Sequence, residues 1–141
     1  LIQKIRVIPL NKKQKGDYNK MNNENKKTLK NLFKLSHKVS LYVPTRDKNN
    51  QELPTDLIQK MVDLTASKFS EVNGGATSTQ ALGYWKSVAG ELIKEKIVVV
   101  FSYSNNLENS IEAAIEIGEE LKEISNQDAI SLEVNNELYF I

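Results

Sequence analysis

The sequence predicts an α+β domain of ferredoxin-like type, with a βαββαβ order that makes an antiparallel sheet carrying two helices on one face. Three observations lead there. Segments of period-two alternation and one nearly continuous apolar run, Ile97 to Phe101, mark strands, while two longer segments repeat their apolar residues at helical spacing. Glycine and asparagine pairs punctuate the chain between these segments. With right-handed crossovers, that order has one common solution, in which strands one and three lie in the centre.

The first strand is Lys38 to Val43, where Val39, Leu41 and Val43 share one face and Ser40 and Tyr42 the other, and Pro44 ends it. After a polar loop, Pro54 opens a helix whose first-turn oxygens come from Thr55 and Asp56. Its predicted apolar stripe is Leu57, Ile58, Met61, Val62, Thr65, Phe69 and Val72. Asn73-Gly74-Gly75 stops it, because glycine takes the left-handed conformation with which helices often end. Strand two runs from about Ala76 to Trp85, with Thr77, Thr79, Ala81, Gly83 and Trp85 on one face. The connection Lys86 to Glu91 leads into strand three, about Leu92 to Tyr103, whose β-branched density predicts burial on both faces.

Asn105-Asn106 caps a second helix, predicted to turn Leu107, Ile111, Ala114, Ile115, Gly118 and Leu121 inward and a row of glutamates outward. Strand four is Ala129 to Val134. Asn135-Asn136 then turns the chain into Glu137 to Ile141, a short last strand or a swapped tail. The open sheet face needs a cover, so a homodimer through the sheet is expected.

One domain, residues 38–141, is what 141 residues with 40% apolar and 26% charged content support. No apolar run approaches the roughly 20 residues of a membrane span and no secretory signal pattern stands at the N-terminus, so a cytoplasmic location without membrane contact is expected. Cysteine is absent and histidine occurs once, which removes disulfides and makes a zinc site or other metal centre improbable. No cofactor is expected either. The net charge of +1 hides a division: Leu1 to Ser40 carries eleven Lys/Arg against two acids, net +9, and the remainder eight against sixteen, net −8. A basic arm over residues 1–37 can bind nucleic acid, which the acidic body would not. Within it, a short amphipathic helix is expected over about 22–37, able to dock on the domain or a partner. The Lys/Asn-rich part of residues 1–20 should be disordered by composition. Lys15-Gly16-Asp17 before Met21 back-translates to a ribosome-binding sequence, so residues 1–20 are expected to be translated upstream sequence.

Candidate chemistry concentrates in the strand two to strand three hairpin. Glu95 shares a strand face with Ile93, Ile97, Val99 and Phe101, so a cover over that face would make it a partly buried carboxylate served by Trp85, Tyr84 or Lys86, while without one it is an exposed carboxylate near the strand end, paired with Lys94 or Lys96. His37 lacks an identifiable orienting carboxylate and reads as a surface residue. Gly74-Gly75-Ala76-Thr77 follows a helix and enters a strand, the reverse of a dinucleotide loop, and reads as a helix stop. Ser102 and Ser104 lack a nucleophile elbow. Strand three also lacks the basic, aromatic signature of an RNA-binding sheet.

The set Leu41-Tyr42-Val43-Pro44, Gly74-Gly75-Ala76-Thr77, Gly83-Tyr84-Trp85, Gly90-Glu91-Leu92 and Glu95, ending in Ser102-Tyr103, resembles a group of short uncharacterised proteins of bacteria, plasmids and phages. The resemblance covers about Val39 to Val134 and implies no established activity. It implies one site around Thr77, Trp85 and Glu95, and a mobile-element origin. The expected function is a non-enzymatic binding or interaction protein, dimeric, with an accessory or counter-defence role, holding a small polar ligand or protein partner through Thr77, Tyr84, Trp85, Glu95 and Tyr103. The alternatives are a small enzyme with Glu95 as general acid/base in a dimer-enclosed pocket, assisted by Tyr84 or Tyr103, and nucleic-acid binding through the arm.

Overall fold

The computed structural model describes residues 9, 11–15 and 27–141. Contacts divide the chain into two units, one of Arg6–Leu35 and one of Leu1–Ile5 with Ser36–Ile141, of which the described part is the domain Ser36–Ile141. In the first unit, residues 12–15 make one helical turn. It is closed as a capping box, the Gln14 N–H donating to Asn11 Oδ1 at 2.8 Å and the Asn11 N–H to Gln14 Oε1 at 3.1 Å. Composition alone missed this turn, because local side-chain caps stabilise it without any core. The helix expected over 22–37 does not form in its described part. Leu29–Asn31 makes a three-residue 3-10 turn, and Leu32 leaves it in extended backbone. A short segment gains too few hydrogen bonds to repay helix nucleation. The rest of that helix, and most of the stretch assigned to upstream translation, lie outside the described residues.

The domain consists of β1 (His37–Pro44), α1 (Thr55–Asn73), β2 (Thr77–Lys86), β3 (Leu92–Ser104), α2 (Leu107–Ser125), β4 (Ser131–Val134) and β5 (Glu137–Phe140). Its five strands form one antiparallel sheet in the order β2-β3-β1-β4-β5. The class is α+β with β1 and β3 inside, consistent with a ferredoxin-like plan in general. The chain's end adds β5 to the β4 edge. Asn135 and Asn136 make that last turn, both at positive φ (48° and 75°), which asparagine tolerates better than most residues.

Alternation in β1 sends Val39, Leu41 and Val43 to the helix side, where all three are fully buried. They join Val100 of β3, Met61 and Phe69 of α1, Ala114, Ile117 and Leu121 of α2, and Leu132 in one core. Gly74 (φ 91°) ends α1, its N–H donating to the Ser70 carbonyl at 2.8 Å. No side chain caps the start of α1, so Thr55 and Asp56 do not play the capping part expected of them. Asn106 Oδ1 caps α2 by accepting from the Asn109 N–H at 3.2 Å.

Three packing expectations need correction. The buried side of α2 is Ser110, Ala114, Ile117, Gly118, Leu121 and Ser125, while Ile115 is 40% exposed. The helix is rotated because Ser110 and Ser125 satisfy their hydroxyls internally and can face the core; Ser125 donates to the Leu121 carbonyl at 2.7 Å. Gly118 gives room to Ile141, whose Cδ1 would collide with a Cβ there. Second, β3 is buried on one face only: Val100, Ser102 and Ser104 are inside, and its other face is half-exposed. Val72, at the end of α1, is also exposed. Among the described residues, no helix is long and apolar enough to cross a membrane.

Candidate functional site

The register of the hairpin decides which residues can act together. Thr77, Ala81, Gly83 and Trp85 of β2 stand opposite Phe101, Ile97, Glu95 and Ile93 of β3. These pairs lie on the open face, away from the helices. Lys38, Ser40 and Tyr42 of β1 stand on the same face opposite Tyr103, Phe101 and Val99.

Glu95 is half-buried and faces Gly83 directly. With no side chain on Gly83, the carboxylate arm lies over a dent in the sheet, and a Cβ there would be 3.7 Å from Glu95 Cγ. Trp85, 48% exposed, is the diagonal neighbour across the ladder. Tyr84 and Lys86 pair with Lys94 and Leu92 on the opposite face, so neither is the donor to Glu95 expected from the sequence. Tyr84 instead has the Lys94 ammonium 5.9 Å from its ring centroid. An open cleft of about 370 Å³ lies beside the hairpin, lined by Thr45, Arg46, Glu52, Leu82, Lys94, Glu95 and Lys96 among others. Glu95 lines this cleft together with Lys94 and Lys96, although strand alternation sends its side chain to the face opposite theirs.

Thr77 and Tyr103 belong to the far end. Thr77 pairs with Phe101, six residues along β3 from Glu95, or roughly 20 Å at the rise of a strand. Tyr103 is two residues further and 39% exposed. One chain therefore brings Trp85 to Glu95 and Thr77 to Tyr103, as two groups on one face, and does not gather the five expected residues.

At that far end lie residues that sequence reasoning passed over. The Lys38 ammonium sits 4.3 Å from the Phe101 ring centroid. Ser40, 1% exposed, donates to Glu133 Oε1 at 3.5 Å. Burial, and secondly the charge of Glu133, push the Tyr42 phenol above its ordinary value. Alternation did place Ser40 and Tyr42 on one face, but the partner of Ser40, Glu133, is set by the β1–β4 register.

The remaining candidates serve the frame. His37 Nδ1 lies 2.9 Å from Asn135 Nδ2, an amide that donates, and the Lys38 N–H donates to Asn135 Oδ1 at 2.9 Å, tying β1 to the last turn. Ser102 donates to the Gly75 carbonyl at 2.6 Å and accepts from Asn73 Nδ2 at 3.1 Å. That bond anchors the entry to β2, which leads to Thr77.

No protein-family model matches the chain, and no curated protein matches it. Solved structures do. A phage SAM lyase in complex with S-methyl-5'-thioadenosine superposes with a TM-score of 0.58 at 15% identity, over 78% of this chain and 92% of that one. A phage SAM lyase in the apo state gives 0.56 at 18% identity, over 78% and 94%. At these identities the likeness is one of fold. It also corrects the function expected from the sequence: the neighbours are enzymes, so the reading as a non-enzymatic binding or interaction protein is overturned and the enzyme alternative fits better.

Proposed function

We propose that this chain is a small lyase acting on a sulfonium substrate of the S-adenosylmethionine type, with Glu95 as the acid/base carboxylate of its site. The observation that carries the reading is the half-buried Glu95 over the Gly83 dent with Trp85 beside it. The lyase fold of the neighbours supplies the reaction class.

A second copy completes the site. The open face carries Ile97, Val99 and Phe101 half-buried in one chain, an apolar surface suited to a two-fold partner. When two sheets meet face to face about an axis perpendicular to their strands, the Glu95 end of one copy covers the Thr77–Tyr103 end of the other. The two groups that one chain holds roughly 20 Å apart then face each other across a sheet spacing of about 10 Å. Tyr103 brings a hydroxyl to this arrangement that can donate a hydrogen bond to the substrate's carboxylate, and neither route below needs it to give up its proton.

A sulfonium already carries its leaving group. The bond between sulfur and the methionyl carbon breaks with both electrons staying on sulfur, and S-methyl-5'-thioadenosine departs as a neutral thioether. No water is added. The carbon is taken either by the substrate's own carboxylate oxygen, closing a lactone with no net proton transfer, or by a new double bond when Glu95 accepts a proton from the adjacent carbon. In the elimination route Glu95 is the base, and in the lactone route it acts only as a negative charge beside the sulfonium, so product analysis reports how Glu95 acts. The test is incubation of the full chain with S-adenosylmethionine, following S-methyl-5'-thioadenosine by chromatography. Glu95→Gln should lower turnover by about a hundredfold or more while substrate affinity stays within about threefold. Absence of the thioether with the wild-type dimer would overturn the reading.

A further inference from the structure

Phe101 and Tyr103 form an aromatic corner on the open face, their ring centroids 6.0 Å apart and their planes at 88°. The Lys38 ammonium rests on it, 4.3 Å from the Phe101 centroid and 5.9 Å from that of Tyr103. Both distances lie within the roughly 6 Å over which a ring face attracts a cation. Among the described residues, the ion pairs are Arg46–Glu52 and Lys68–Glu120, so Lys38 is held by rings and not by a carboxylate. Glu133 stands one strand beyond, opposite Ser40, and adds negative potential to the same patch.

A primary ammonium is strongly hydrated and gives up water reluctantly to sit on a ring. A methylated onium carries the same charge with a looser water shell, and so competes well for such a place. We infer that the Phe101–Tyr103 corner is a subsite for a methylated onium group, sulfonium or quaternary ammonium, and that the Lys38 ammonium occupies it when no ligand is present. In naming the sulfonium of S-adenosylmethionine this rests on the proposed function, and it adds the residues that read the substrate's charge. It also accounts for release: the thioether product has lost the charge, and Lys38 returns to the rings.

The test uses the full chain and two probes of similar shape, trimethylsulfonium and neutral tert-butanol, titrated by proton NMR. Lys38→Met should tighten trimethylsulfonium about threefold to tenfold and leave tert-butanol unchanged. Adding Phe101→Leu should remove the gain; if that variant does not fold, Tyr103→Leu at the more exposed ring should reduce it. Unchanged trimethylsulfonium affinity in Lys38→Met, or an equal gain for both probes, overturns the inference. A chain that binds trimethylsulfonium as expected yet leaves S-adenosylmethionine intact would sink the proposed reaction and keep the subsite. Cleavage of S-adenosylmethionine with no response to Lys38→Met would do the opposite.

Discussion

Gly83 stands directly opposite Glu95 in the β2–β3 ladder, and a Cβ on Gly83 would make an ordinary 3.7 Å contact with Glu95 Cγ. Gly83 is not among the positive-φ glycines, so the backbone does not require glycine there. What its absent side chain provides is space beside a carboxylate. Gly83→Ala should fold normally and gain up to about 1 kcal/mol, since glycine weakens a strand interior. Gly83→Leu fills the dent: thermal unfolding should stay close to wild type while S-methyl-5'-thioadenosine formation falls at least about tenfold, roughly 1.4 kcal/mol of barrier. Full activity in Gly83→Leu would mean the dent is no part of the site.

Ser110 is fully buried, with its Oγ 2.7 Å from both Asn73 Oδ1 and Ser104 Oγ. Through Asn73 and Ser102 this network reaches the Gly75 carbonyl, and so joins α2, the end of α1, and the strand ends that carry Thr77 and Tyr103. Ser110→Ala leaves the part-buried Asn73 Oδ1 without that donor, which should cost about 1 kcal/mol. In urea the midpoint should fall with the slope unchanged. A loss under about 0.5 kcal/mol would show that water replaces the hydroxyl and that the network contributes little.

Most of the backbone plan was legible because its signals are local. Alternation from Lys38 to Val43, the glycines after Asn73 and the asparagine before Leu107 each fix an element within a residue or two of where it lies. The failures concern relations that no local signal carries. Ser110 and Ser125 turned inward because partners elsewhere satisfy them, and that rotated α2 away from the stripe of Ile111 and Ile115. Ser40 meets Glu133 across 93 residues of sequence, and the Lys38 ammonium meets a ring on a neighbouring strand. Thr77 and Trp85 were read on one face of strand two and Glu95 on one face of strand three, but which faces coincide is set by the β2–β3 register, and their division into two ends follows from the length of β3. The proposed chemistry leaves little trace either. A substrate that brings its own leaving group would need no nucleophile elbow or phosphate loop, and with neither in the sequence a binding module was read in their place.

Tyr42 gives the open face an electrical readout. Its phenol titrates above the ordinary tyrosine range, first because burial disfavours the phenolate and second because Glu133 is negative. The unfolded chain therefore loses this proton first as pH rises. The resulting stability is whole below about pH 10, the ordinary phenol value, and is lost as pH climbs through the higher folded value. Glu133→Gln removes the lesser cause, so Tyr42 should titrate below its wild-type midpoint and still above free tyrosine, because burial remains. Phenolate absorbance, with a Tyr42→Phe chain subtracted to isolate this residue, measures both midpoints. A midpoint unmoved by Glu133→Gln would mean the carboxylate's charge does not reach the phenol. In that case Glu133 would add nothing to the potential at the Lys38 corner, and the rings alone would have to hold a bound cation.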